Sequence, residues 1–203
     1  SSTGEWPMEQ HDPGGTGYSK TASGPQDSVR VRWKRPLKTR RGFGYKSTPI
    51  IANGRVYAVG RELLCTDAAS GEAIFRAPRP ASVPPAVVSA RAYRSPTLVF
   101  ATPAGTTGLH PTDGWSVADW QFGRTRWQTI TKNSVSFFGN SASQAPAVGA
   151  TKTVFVTEAD QLMAIDASSG DVRWRATGGN RRPAVHDGTV YTPSFSDGLI
   201  GYD

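Results

Sequence analysis

The stretch QLMAIDASSGDVRW, residues 161–174, reads as two β-strands joined by a tight turn, and altered copies of it recur along the chain. Asp166, Gly170 and Trp174 follow one another at intervals of four; Asp119, Gly123 and Trp127 keep that spacing, as do Asp67, Gly71 and Phe75. Asp203 falls where a further copy would begin. An Asp early in a hairpin turn accepts backbone hydrogen bonds, and a Gly late in it tolerates positive φ, so these residues have structural roles.

Upstream of each Asp the same signals return in order: a proline, a β-branched run, a polar turn and a short apolar run. In the first copy these are Pro49, Val56–Val59, Gly60–Glu62 and Leu63–Cys65; in the third, Pro146, Val154–Thr157, Glu158–Asp160 and Leu162–Ile165. Pro183, Val190–Tyr191, Ser196–Gly198 and Leu199–Ile200 make the last. Short strands punctuated this densely indicate an all-β chain, and a period of about 40–50 residues is that of a four-stranded propeller blade. The strand that ends each unit reads as an outer one, with Val172 and Trp174 on one face and Arg173 and Arg175 on the other; cationic side chains protect such an edge against stray pairing.

Residues 1–28 lack periodicity and read as an extended arm, with Trp6-Pro7-Met8 and Tyr18 stapling it across the body of a propeller domain at 29–203. Val29–Arg35 alternates like an outer strand without inner strands before it, whereas Pro183–Asp203 supplies inner strands without an outer one. The expectation is therefore three whole units, 47–76, 84–127 and 143–175, and one unit shared between 181–203 and 29–35. Four blades can close as one ring, pair with a second chain into an eight-bladed ring, or form half of a longer polypeptide; the sequence leaves all three open. The second unit is the least regular, and Thr102–Ser116, with Gly105, Gly108, Pro111 and Gly114, reads as a long loop.

Composition fits a turn-rich β protein: 203 residues, 37% hydrophobic, 22 Gly and 15 Pro. No segment approaches the ~20 apolar residues of a membrane span. Cys65 is the one cysteine, which excludes an internal disulfide, and its apolar strand predicts a buried thiol. His110 with Asp113, His11-Asp12 and His186-Asp187 are too sparse for a metal site.

The net charge of +7 favours anionic partners. Propeller topology puts the between-blade segments 36–46, 77–83, 128–142 and 176–182 on one face, and they contain Lys38, Arg40, Arg41, Lys46, Arg79, Lys132, Arg181 and Arg182 with no Asp or Glu. Lys38, Arg40, Arg41, Arg79, Lys132, Arg181 and Arg182 form the candidate face for an anionic polysaccharide or a protein partner. Nucleic acid is disfavoured, since Phe43, Tyr45, Phe137 and Phe138 pack on propeller rims as readily as they stack on bases.

The run Ala164–Trp174 resembles the tryptophan-docking motif of quinoprotein-like, or PQQ-like, β-propellers, A-x-D-x-x-x-G-x-x-x-W. The second unit keeps Asp, Gly and Trp with Val117 in the alanine place; the first keeps Asp and Gly with Phe75. Trp6-Pro7-Met8, His11-Asp12 and Thr16-Gly17-Tyr18 are similar to the start of secreted archaeal members. The resemblance implies that each docking Trp packs on a peptide plane of the neighbouring blade. It also implies an extracytoplasmic setting, and Ser1-Ser2-Thr3-Gly4 fits the start of a mature secreted or lipid-anchored chain as well as a trimmed one. Two functions follow from it: a non-catalytic binding or scaffold protein, as assembly-factor members are, or a PQQ-dependent alcohol or sugar dehydrogenase or part of one. The dehydrogenases hold PQQ beside a vicinal disulfide with Ca²⁺ bound by Glu, Asn and Asp. With Cys65 alone and no Asn-Asp pair to match, neither PQQ nor Ca²⁺ is expected here.

Overall fold

A computed structural model of the chain describes residues 7–9, 11–13, 15–17, 28–37, 48–60, 62–78, 84–89, 96–102, 105–109, 125–130, 147–149, 152–158, 161–177, 181–194 and 196–203. Among the described residues fifteen strands form four antiparallel sheets, each built from consecutive strands. Sheet one contains β1 (Ile50–Ala52), β2 (Arg55–Val59), β3 (Glu62–Asp67) and β4 (Ala73–Pro78). Sheet two contains β5 (Ala86–Val88), β6 (Thr97–Thr102), β7 (Gly105–Leu109) and β8 (Thr125–Ile130). β9 (Ala147–Val148), β10 (Thr153–Glu158), β11 (Gln161–Asp166) and β12 (Val172–Thr177) make sheet three. Sheet four has three strands, β13 (Ala184–His186), β14 (Thr189–Ser194) and β15 (Gly198–Tyr202).

The sheets stack face to face, and three apolar clusters hold consecutive pairs together. Ile50, Tyr57, Val59, Leu63, Cys65 and Phe75 of sheet one meet Val87 and Leu98 of sheet two. Ala86, Val88 and Val99 of sheet two meet Val154, Val156, Met163 and Ile165 of sheet three. Phe155, Leu162 and Ala164 of sheet three meet Val190, with Val185 and Tyr202 against them. The continuous apolar run Leu162–Ile165 is explained by this arrangement: β11 is covered on both faces, so alternate residues serve different clusters. The first strands of neighbouring sheets lie together, β5 beside β9 and β9 beside β13, which defines an inner side.

Asp67 and Asp166 build equivalent turns. The Asp67 Oδ1 accepts from the N–H groups of Ala69 at 2.9 Å and Ser70 at 2.7 Å, and the Asp166 Oδ1 accepts from Ser168 at 2.7 Å and Ser169 at 3.3 Å. Gly71 (φ 70°) and Gly170 (φ 80°) close the turns by donating to the carbonyls of Asp67 and Asp166. Hydrogen bonds from Ser70 hold the Asp67 carboxyl below its ordinary range, and the Arg173 guanidinium, with Ser168, does the same for Asp166.

Three features depart from the sequence reading. Thr102–Ser116 is not wholly a loop, because Gly105–Leu109 is a strand paired with β6 and β8; its two glycines conceal a backbone that ladders on both sides. Secondly, Val172 and Trp174 do not share a face. Trp174 lies opposite Ala164 and Val172 opposite Ile165, so a bulge at Arg173 reverses the alternation: Val172 joins the cluster toward sheet two and Trp174 turns toward sheet four. The same register shift occurs between Cys65 and Thr66 and between Gly108 and Leu109. Thirdly, Val29–Arg35 does not pair with the terminal strand. It runs as extended chain outside any ladder, and sheet four remains three-stranded.

Candidate functional site

The N-terminal arm is laid along the inner side of the sheets. The Pro7 carbonyl accepts from Val87 of β5 at 2.8 Å, and the Pro13 carbonyl accepts from Val185 of β13 at 2.8 Å. Between those two points Met8 enters the cluster of sheets two and three, 5% exposed. Met8 therefore staples the arm as expected. The segment turns tightly: His11 donates to the Met8 carbonyl and Gly15 to the Asp12 carbonyl, both at 3.0 Å. Thr16 bonds the Asp12 carboxylate through its N–H at 3.1 Å and through its hydroxyl. Burial raises the Asp12 pKa, and the Thr16 and His11 contacts outweigh that and leave it lowered.

This arm changes the reading of the basic face. Arg182 is half-buried, and its Nη2 donates to the Asp12 carbonyl at 3.0 Å. Desolvation lowers its pKa, while Glu9 and Asp12 act in the opposite sense. A face sorted as free of acid on its between-blade segments thus receives acid from the arm, a contribution no periodicity in residues 1–28 announces. Arg181 stays exposed, with its carbonyl fixed by the Thr157 hydroxyl at 2.8 Å. Lys38, Arg40, Arg41, Lys46, Arg79 and Lys132 lie outside the described residues, as do His110 and Asp113. The remaining histidine pairs are local: His11 Nδ1 is 3.6 Å from Asp12 Oδ2, and His186 Nε2 is 3.3 Å from Asp187 Oδ2 on an exposed turn. Among the described residues no group of three or more His, Cys, Asp or Glu is placed to hold a metal, and no helix is long and apolar enough to cross a membrane. Cys65 is fully buried, and desolvation pushes its thiol up to about 12.

A second set of contacts escaped the sequence reading. The Trp33 indole N–H donates to the Ala68 carbonyl at 3.1 Å, and the Arg35 Nε–H to the Gly71 carbonyl. A β-carbon at Gly71 would sit 2.5 Å from the Trp33 ring, so the indole lies directly on the peptide of the Asp67–Gly71 turn. Thr129, two residues after Trp127, donates its hydroxyl to the Gly170 carbonyl at 2.5 Å. Arg35 stands two residues after Trp33 and makes the matching bond. Val29–Arg35 therefore makes against sheet one the contacts that the outer strand of sheet two makes against sheet three.

The PQQ-type family described as outer membrane protein assembly factor BamB matches residues 115–203. A comparison with curated proteins returns no match. Among solved structures, BamB from Moraxella catarrhalis superposes with a TM-score of 0.56 at 22% identity, over 74% of this chain and 43% of its own. The quinohemoprotein alcohol dehydrogenase ADHIIG from Pseudomonas putida HK5 gives 0.64 at 15% identity, over 94% of this chain and 34% of its own. A quinohemoprotein alcohol dehydrogenase from Comamonas testosteroni gives 0.56 at 17%, over 86% and 27%. The chain thus spans less than half the length of these relatives. With consecutive antiparallel sheets, an Asp–Gly turn on which Trp33 docks, and this set of neighbours, the chain has the fold of PQQ-like β-propeller repeat proteins.

Proposed function

We propose that the chain is a non-catalytic, extracytoplasmic binding platform that holds a protein partner, as the name of the assembly-factor family implies for its own members. The observation that carries this reading is the arm: Pro7, Met8, Pro13 and the Asp12–Arg182 contact occupy the inner side of sheets two to four with the chain's own backbone. The residues present also fit poorly to PQQ held in the manner of the dehydrogenases. The sole cysteine is sealed between sheets one and two and has no neighbour with which to form a vicinal disulfide.

The basic between-blade segments, with exposed Arg181 among their residues, are the part of the platform suited to an anionic protein surface or polysaccharide, and nucleic acid remains the disfavoured polyanion. Contacts of that kind weaken steeply with added salt. The discriminating experiment titrates the protein with PQQ and Ca²⁺ while absorbance and reduction of an artificial acceptor by alcohols and aldoses are followed. The platform reading expects no acceptor reduction at any concentration. Turnover above the protein-free control overturns it in favour of a quinoprotein oxidoreductase.

A further inference from the structure

Three main-chain carbonyls of the N-terminal arm meet donors on the inner side of the sheets. Pro7 accepts from the Val87 N–H at 2.8 Å, Pro13 from the Val185 N–H at 2.8 Å, and Asp12 from the Arg182 Nη2 at 3.0 Å. The two amides hold the same place in their sheets: each belongs to the middle residue of a three-residue first strand, opposite Leu98 in one case and Val190 in the other. Alternate N–H groups of an antiparallel strand point away from its partner, so these two face the inner side as a property of the sheets. The donors belong to the sheets and the acceptors to the arm.

The arm itself is held as a ligand is held. Pro7, Met8 and Pro13 stand outside every ladder, and the segment turns through the Met8–His11 and Asp12–Gly15 backbone bonds. His11 takes left-handed backbone there (φ 74°), which a residue with a side chain adopts at a cost. The side chains of His11 and Asp12 remain 25% and 28% exposed, while that of Met8 is sealed among Ala86, Val88 and Val99 of sheet two and Val154 and Val156 of sheet three.

We propose that the inner side of sheets two to four is a peptide-binding groove, with the arm as its tethered occupant, exchangeable for a partner protein's segment of the same chemistry: a turn that opens Pro-apolar and reaches a second proline after four further residues. This rests on the platform reading above and places the partner on that platform. Carbonyls are common to every peptide, so the bonds to Val87, Val185 and Arg182 transfer to any chain that follows the same turns. The Met8 place selects an apolar side chain. Arg182, whose charge is met by Glu9 and Asp12, favours acidic residues at their places.

The test uses the full chain and a fluorescent peptide of residues 5–17, EWPMEQHDPGGTG. In Met8→Glu the charged side chain cannot stay between the sheets, and the Val87 and Val185 amides should exchange with solvent far faster than in the parent, with the amides of β6 and β14 unchanged. The peptide should bind this variant at least about tenfold more tightly than the parent, whose own arm competes at high local concentration. Peptide binding should also restore protection at both amides, and a peptide carrying Met8→Glu should bind neither protein. If Met8→Glu does not fold, Met8→Ser carries the same test; failure of both to fold overturns the proposal, because the arm is then part of the core. Equal affinity for parent and variant overturns it, as do protection retained at Val87 and Val185 in the variant and absence of binding once protection is lost. The readout involves neither PQQ nor an acceptor, so a negative result removes the groove and leaves the platform, whereas acceptor reduction removes the platform.

Discussion

Sheets three and four come from the same repeat and differ in how many of their faces are covered. Sheet three is packed on both sides, with Val154, Val156, Met163 and Ile165 toward sheet two and Phe155, Leu162 and Ala164 toward sheet four. Sheet four buries Val190 and Thr192 on one side and leaves Tyr191 and Leu199 in solvent on the other. A propeller blade is thus a unit whose stability is set by its neighbours, because one blade alone cannot bury both faces of a twisted sheet. Equivalent leucines should then carry unequal weight. Leu162→Ala removes a fully buried side chain from the contact of Phe155, Ala164 and Val190, and the expected loss is about 2–5 kcal/mol, read by urea denaturation.

Glycine substitutions sharpen the contrast at the turns. Gly71 (φ 70°) and Gly188 (φ 87°) both need the left-handed backbone, which costs a side-chain-bearing residue roughly 1–2 kcal/mol. A β-carbon at Gly188 meets nothing within 4 Å, whereas at Gly71 it collides with Trp33. Gly188→Ala should therefore show the backbone cost alone. Gly71→Ala should cost more and shift tryptophan emission to the red as the indole leaves the Ala68 carbonyl. Equal losses with unchanged emission would remove Trp33 from the docking role.

These contacts show where sequence reasoning succeeded and where it stopped. The Asp–Gly turns were legible because they are local: Asp67 and Asp166 bond residues two and three positions ahead, and spacing alone encodes that. The hairpins of sheets one, three and four were legible for the same reason. Arg173 was misplaced because a bulge is a property of two strands in register, and nothing in VRW shows that one residue is extra. β7 was hidden by Gly105 and Gly108, residues with low strand preference that the ladder overrides. At the candidate face, Arg182 was visible as a cation while its partners were not, because Glu9 and Asp12 arrive from an arm far away in sequence.

The turn carboxylates give a pH dependence of intermediate size. The Asp67 and Asp166 pKa values are lowered in the folded chain, so each adds stability that is complete above the unfolded value of about 3.9 and is lost as pH falls through the folded value. The midpoint of urea unfolding should be level from neutral pH down to the carboxylate range and drop below it. Asp166→Asn should make that drop shallower and, at neutral pH, weaken the turn by about 1 kcal/mol, since the Arg173 contact is solvent-screened.

The smallest effect is the one that separates the two sheets. Leu199 sits on β15 opposite Pro193 with most of its surface in water, so Leu199→Ala removes little that folding of one chain had buried. Urea denaturation of the 203-residue chain should show a change within about 0.5 kcal/mol. A loss there comparable to that of Leu162→Ala would mean that the downstream face of sheet four is already packed within a single chain, and the difference between a blade with two neighbours and a blade with one would disappear.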